Sequence, residues 1–372
     1  MPAIELSPED ALRLNVLLAN KPQAIRINES SMTLFGLLDD SETSIRLNPT
    51  CPDEKYLKQI RSVLSERALG NPAGYPLYLQ RWTRMGKMRD ESLKELLKLG
   101  DPEAVFAVVC AEGLTDELAR RAWWASEEPE NARRMLQTMA VSEGQTGKQL
   151  ARYLIEFLPF ETDTETMIES VRVAMRPGLL PESERRALWK KSARKTPYLV
   201  GFIASAPDDL PDRTPPRSDL SGICDLLSAD QTPAASLLLR SLSENGQLFL
   251  DACLRILNKP PTQDVITTTL DVMRSYYAGL RPDGDPDLGL QQLYEEAAVY
   301  VDNTAALQPL FSQAPSLRRD VTAMRVLSGL GYGVLRPELK GSSAAGGLMR
   351  RKLEPVLHGI SDEIKVLLGS AP

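Results

Sequence analysis

Apolar positions along most of the chain recur at helical spacing, with Gly or Pro between the periodic blocks. The first fifty or so residues are different. Ser7 is placed to cap a helix with Pro8 in its first turn, running through Ala11, Leu14 and Leu18 and stopped at Lys21-Pro22. Three β-like stretches follow: Gln23 to Asn28, Met32 to Leu38 and Thr43 to Leu47. Ala24-Ile25-Arg26-Ile27 and Ser44-Ile45-Arg46-Leu47 alternate with period two, and Asn28-Glu29-Ser30 and Asp39-Asp40-Ser41 supply turns. A helix from Asp53 to about Leu69 closes this segment, giving a small antiparallel sheet with one or two helices.

From Asp90 onward helical stripes dominate. Leu93, Leu96 and Leu97 form one. Val105, Phe106, Val108 and Val109 form another, buried on more than one side. Leu150, Leu154, Phe157 and Leu158 form a third, ended by Pro159. Leu210 to Arg217, rich in Pro and polar residues, reads as a linker, as does Lys340 to Gly347. The second precedes a basic helix, Leu348 to His358, and a short terminal helix, Asp362 to Leu368.

The most specific pattern is an internal repeat. Gly113-Leu114-x-x-Glu117-x-x-Arg120-Arg121-Ala122-x-Trp124 recurs 65 positions later as Gly178-Leu179-x-x-Glu182-x-x-Arg185-Arg186-Ala187-x-Trp189. The glycines suit left-handed helix ends, the glutamates first turns, and Trp124 and Trp189 core anchors. Such a period holds about four helices, or two helical hairpins, of ordinary length. The expected fold is therefore mostly α: an α-solenoid of HEAT- or tetratricopeptide-like hairpins behind a small N-terminal α+β subdomain. The expected division is 1–70 for the α+β domain, 71–206 for the repeat domain and 219–372 for a C-terminal helical domain continuing the array.

Composition narrows the chemistry. Aromatics are 6% of the 372 residues, and strand-like alternation is confined to one region, as in a mostly helical protein. The one histidine, His358, removes any site needing two. Cys51, Cys110, Cys224 and Cys253 are scattered without a C-x-x-C pair, so neither a metal knuckle nor a redox motif is supported. No cofactor or metal is expected. Asp283-Gly284-Asp285-x-Asp287 lacks the closing Glu of a calcium loop and reads as a helix-initiating turn. Gly329-x-Gly331-x-Gly333 has no phosphate-loop context and suits close helix packing or a helix end. The net charge of −6 opposes nucleic acid except at a local basic patch. An acidic N-terminus and the lack of a long apolar run imply a cytoplasmic protein with no membrane contact.

Two basic constellations are candidate partner sites. Arg186, Lys190, Lys191, Arg194 and Lys195 share half of a helical wheel opposite Leu188 and Trp189. They suit an acidic protein or a phosphate backbone, or else are the solvated face of an amphipathic helix, the commoner meaning of such a charge run. Arg185, matching Arg120, fits the edge of the repeat core instead. Tyr78, Arg81, Trp82, Arg84, Lys87 and Arg89 interleave aromatics with cations, as single-stranded nucleic acid requires, or else form a connector packed on the first helical layer.

Several stretches resemble one family. They are Gly74 to Gly86 (GYPLYLQRWTRMG), Asp90 to Leu93, Gly113 to Ala125 (GLTDELARRAWWA), Asn131 to Leu136, Glu156 to Glu161 and Tyr198 to Phe202, with Leu12 to Ala19 near the start. They are similar to DsrS, the soluble protein encoded with the dissimilatory sulfite reductase genes of sulfur-oxidising bacteria. The resemblance runs past residue 200 and is weaker beyond. It implies a cytoplasmic accessory factor in oxidation of stored sulfur, acting on production of the reductase system, and it brings no catalytic motif. The expected function is thus a noncatalytic regulator or scaffold binding a protein or RNA. The alternatives are a direct RNA-binding post-transcriptional regulator, or an enzyme whose carboxylates converge on a helical scaffold.

Overall fold

A computed structural model describes residues 6–39, 41–70, 90–339 and 346–370. The chain is mostly helical, with a three-stranded antiparallel sheet near its N-terminus. It divides into two compact units, Met1–Phe157 and Leu158–Pro372. Among the described residues no helix is long and apolar enough to cross a membrane.

The start of the first unit follows its local signals. Ser7 Oγ accepts from the Asp10 amide at 3.1 Å and opens the helix Pro8–Ala19. The strands are β1 (Ala24–Asn28), β2 (Thr33–Leu37) and β3 (Glu42–Arg46), in spatial order β1-β2-β3. The register pairs Ile25 with Gly36 and Leu34 with Ile45, which sets these residues on one face. That face meets Leu14 and Leu17 of the first helix and Tyr56, Leu57, Ile60 and Leu64 of the helix Asp53–Leu69 in a single core. A Cβ on Gly36 would lie 2.7 Å from Leu17 Cδ1, so the small residue is what lets the first helix approach the sheet. Gly70, with φ +69°, ends the helix Asp53–Leu69.

Asp10 is buried in this core, where it accepts hydrogen bonds from the Tyr56 hydroxyl and, at 2.8 Å, from the Asn48 amide. The helices Asp90–Leu96, Pro102–Val109, Asp116–Ala125, Pro129–Leu136, Met139–Ser142 and Gln145–Phe157 follow among the described residues of this unit. The Ile25 amide donates to the Leu97 carbonyl at 2.9 Å, tying β1 to the helical part. Leu93, Leu96, Leu97, Val105, Val108 and Val109 are buried as their spacing predicts. Phe106 departs from its stripe and is 44% exposed, because one position of so short a helix faces outward whatever its polarity.

In the second unit the helix pair Thr164–Ala174 and Thr196–Ser205 packs closely at Gly201, where a Cβ would meet Val171 Cβ at 2.5 Å. Gly329 and Gly333 serve the close packing expected of them, since a Cβ would strike Leu293 and the Asp287 backbone. The Asp283–Asp287 turn precedes the helix Leu290–Asn303. Leu210 to Arg217 has no helix or strand, but Leu210 and the Arg217 side chain are buried.

The C-terminal segment differs from expectation. One helix, Gly346–Leu367, runs straight through Pro355. Proline removes one intrahelical donor, yet Met349, Leu353, Val356, Leu357, Ile360 and Ile364 continue a single buried stripe across it. Burial of that stripe outweighs the lost bond. The start of this helix falls in the linker assigned to Lys340–Gly347, of which 340–345 lie outside the described residues.

Both copies of the repeated motif fold alike at the level of the helix turn. Glu117 sits between Arg120 and Arg121 in the helix Asp116–Ala125, and Glu182 sits between Arg185 and Arg186 in the helix Glu182–Ser192. Spacings of three and four residues put both guanidinium groups within reach of one carboxylate. The copies then diverge. Gly178 has φ +84°, as a left-handed helix end requires, whereas Gly113 does not take a positive φ. Trp189 is buried edge-on against Phe202. In the first copy Trp123 takes the buried place, edge-on to Tyr153, and Trp124 is only half-buried.

Candidate functional site

The helix Glu182–Ser192 begins after Pro181, carries Glu182 and Glu184 in its first turn, and ends with Lys190 and Lys191. Both charge placements suit the helix dipole. Its buried residues are Arg185, Leu188, Trp189 and Ser192, which leaves Arg186, Lys190 and Lys191 on the opposite, exposed side. The helix stops at Ala193, so Arg194 and Lys195 lie in the corner that leads into Thr196–Ser205. The proposed half-wheel therefore folds as a cationic helix end plus a cationic corner.

Arg185 belongs to the packing rather than to this face. It donates to Glu182 Oε2 at 3.1 Å and to the Asp209 backbone carbonyl at 2.7 Å, and it pairs with the Asp209 carboxylate at 2.9 Å. These bonds hold the Asp209–Asp212 segment alongside the helix. Trp189 Nε1 reaches Asp212 Oδ2 at 3.4 Å and supports the same segment. Between helix and segment lies an open groove of about 910 Å³. Arg186, Lys190 and Arg213 supply positive charge to it, and Glu182, Asp209, Asp212 and Glu244 supply negative charge.

Arg186 is tied to Glu182 at 2.8 Å. Lys190, Lys191, Arg194 and Lys195 are exposed and make no side-chain hydrogen bond or ion pair among the described residues. Tyr78, Arg81, Trp82, Arg84, Lys87 and Arg89 lie outside the described residues.

In the first repeat copy the equivalent clamp is a structural joint. Hydrogen bonds from Arg120, opposed by partial burial and joined by Arg121, hold the Glu117 carboxyl well down, at about 2. Arg120 also donates to Gln23 at 2.9 Å, and Trp124 donates to Glu42 at 3.0 Å. Arg26 lies over the Trp124 ring at 4.8 Å. The sheet thus stands against this copy where the Asp209–Asp212 segment stands against Arg185 and Trp189 of the second. The cations Lys190, Lys191, Arg194 and Lys195 have no counterpart at the matching positions Ala125, Ser126, Pro129 and Glu130.

A second groove, about 490 Å³, runs along one face of Gly346–Leu367, past Arg350, Arg351, Glu354, His358 and Lys365. His358 Nε2 stands 3.5 Å from Asp362, and Lys365 donates to the same carboxylate at 2.8 Å. Sequence reasoning named the basic helix but not this face. Residues 350, 354, 358, 361 and 365 already share a helical stripe, which was the available signal. The walls of the first groove carried none, because Asp209–Asp212 and Glu244 are distant in sequence from Glu182.

Among the described residues no group of three or more His, Cys, Asp or Glu side chains is arranged to hold a metal ion. Cys253 is fully buried, and burial pushes its thiol far up. No family model matches the chain, and neither a curated protein nor a solved structure is found similar to it.

Proposed function

We propose that this chain is a noncatalytic, cytoplasmic binding protein. Its helices act as a scaffold of stacked HEAT- or tetratricopeptide-like hairpins, and it engages a protein partner at the corner between Glu182–Ser192 and Thr196–Ser205. One observation carries the reading. Lys190, Lys191, Arg194 and Lys195 stand exposed, with no ion pair among the described residues, in a chain of net charge −6. Elsewhere in the second unit arginines such as Arg217, Arg240, Arg281 and Arg325 are matched to carboxylates. Unmatched cations together present a local positive field to an acidic partner.

The mixed charge of the adjoining groove favours protein over RNA. A continuous phosphate backbone laid there would meet Glu182, Asp209, Asp212 and Glu244. A polypeptide can offer acids to the corner and bases to the groove. The noncatalytic part of the reading rests on the carboxylates nearest the cations, Glu182 and Asp209, being taken up in ion pairs with Arg185 and Arg186. The resemblance to DsrS sets the biological context: production of the dissimilatory sulfite reductase system during sulfur oxidation.

The test is affinity capture from a sulfur-oxidising host with the full chain and with Lys190→Glu/Lys191→Glu/Arg194→Glu, each with and without nuclease. A nuclease-resistant protein partner held by the parent and lost from the variant supports the proposal. Partners lost on nuclease treatment, with binding that falls steeply with salt, would transfer the site to RNA. Equal capture by parent and variant would remove the corner from the site altogether.

A further inference from the structure

Strand β3 is an edge of the sheet, and among the described residues no strand pairs with its outer side. Leu38 donates to the Ser41 carbonyl and Leu47 donates to the Met32 carbonyl, both at 2.8 Å. Residues 41 and 47 therefore bond toward β2. The alternation of an antiparallel ladder then turns the backbone N–H and C=O of Glu42, Ser44 and Arg46 outward. In agreement, the Arg46 carbonyl accepts a long bond of 3.4 Å from Arg13, which lies outside the sheet. An exposed row of such groups is a template for another strand.

We infer that the occupant is a second copy of this chain, paired antiparallel through β3 with Ser44 on a two-fold axis. The strand reads Glu42-Thr43-Ser44-Ile45-Arg46, and its charges are complementary to themselves about Ser44. In that register Glu42 faces Arg46 of the other copy twice, once on each side of the axis. Glu42, Ser44 and Arg46 are the outward-bonding residues, so all three opposed pairs fall at hydrogen-bonded positions. A one-residue slip would bring inward-bonding residues opposite outward-bonding ones.

The side chains fit the same arrangement. Arg46 is exposed and has no ion pair or side-chain hydrogen bond among the described residues. Glu42 takes its bonds from Arg26 and Trp124 on Oε2 alone, leaving Oε1 to accept from an incoming guanidinium. On the other face, Leu12 and Val16 of the first helix are 66% and 56% exposed beside Ile45, along a groove of about 380 Å³. A two-fold axis perpendicular to the sheet keeps the two first helices on the same face, where these apolar residues gain cover. The product is a continuous six-stranded sheet across two chains.

Sedimentation velocity of the full chain over a concentration series tests this. A reversible dimer is expected. Arg46→Glu alone and Glu42→Arg alone each set like charges opposite one another, and each should weaken self-association on the order of tenfold. An equimolar mixture of the two variants restores complementary pairs and should recover the dimer. Far-UV circular dichroism checks that Glu42→Arg, which loses its Arg26 and Trp124 bonds, still folds. Ser44→Cys gives an independent readout. Opposed hydrogen-bonded positions lie about 5.5 Å apart at Cα, within disulfide reach. Mild oxidation should link this variant into dimers faster than the parent, which carries Cys51, Cys110, Cys224 and Cys253 alone. A parent that stays monomeric throughout, or a dimer untouched by both charge reversals and not linked by Ser44→Cys, overturns the proposal.

Discussion

Arg217 offers the sharpest test of how the second unit is held together. Its guanidinium has five donor hydrogens, and all are engaged. Nε and Nη2 bind Asp219 at 2.8 and 2.9 Å, Nη1 and Nη2 bind Asp320 at 2.8 Å each, and Nη1 also reaches the Val366 carbonyl at 3.4 Å. Its backbone amide donates to the Leu242 carbonyl at 3.0 Å. One residue thus joins the start of Leu220–Ala229, the helix Leu317–Leu327 and the end of Gly346–Leu367. Burial pulls the Arg217 pKa down, and the bonds to Asp320 and Asp219 outweigh it, so the net shift is upward.

The cost of Arg217→Met is decided by the two carboxylates separately. The Asp219 side chain is 47% exposed and regains water when its partner leaves, so that arm contributes roughly 0–1 kcal/mol. The Asp320 side chain is 6% exposed and has no other hydrogen bond or ion pair among the described residues, so it becomes a buried charge without a bonded partner, costing about 3–5 kcal/mol. Urea unfolding should show the loss as a midpoint lowered by about 1–2.5 M, taking a slope of about 2–3 kcal/mol/M. Hydrogen exchange should rise together in Leu220–Ala229, Leu317–Leu327 and Gly346–Leu367. The double variant Arg217→Met/Asp320→Leu should recover most of the stability, because it removes the stranded charge. A single variant within about 1 kcal/mol of the parent, or a double variant worse than the single, refutes the reasoning.

Two further outcomes follow from the geometry. The Glu117 carboxyl titrates at about 2 in the folded chain against an ordinary 4.5. Its contribution is therefore present above pH 4.5 and lost as pH falls toward 2. The side chain is half-exposed, so solvent screening holds the effect below about 1 kcal/mol. Acid unfolding of Glu117→Gln should show a shallower fall over that window than the parent, and superimposable acid limbs would refute the assignment. Gly201→Ala should cost about 1–3 kcal/mol or more, because the new Cβ meets Val171 and, at 2.9 Å, the Ile168 carbonyl. Gly222→Ala, with nothing within 4 Å of the added carbon, should instead stabilise its helix by about 0.5–1 kcal/mol. Thermal melts that move both variants the same way would contradict the packing at Gly201.

Much of the local structure was legible because its causes are local. Ser7 and Pro8 specify a helix start, Gly70 a helix end, and alternation over Ala24–Ile27 a strand, each within a few residues. The Glu-x-x-Arg-Arg spacing dictates the twin clamps at Glu117 and Glu182 for the same reason. Pro355 shows the limit of local rules. Its lost hydrogen bond was visible in the sequence, and the burial that carries the helix past it was not.

The repeated tryptophan draws the line between the two kinds of information. Sequence determined by itself that a helix with a two-arginine clamp and a terminal tryptophan occurs twice, since i, i+3 and i, i+4 neighbours meet in any helix. Tertiary structure decided what each copy faces. In the first copy Trp123 turns into the core, while Trp124 turns toward Glu42 and Arg26 of the sheet. In the second, Trp189 is buried against Phe202, and the neighbouring cations meet a groove walled by Asp209–Asp212. Burial and ion pairing depend on residues dozens of positions away, and no local pattern encodes them.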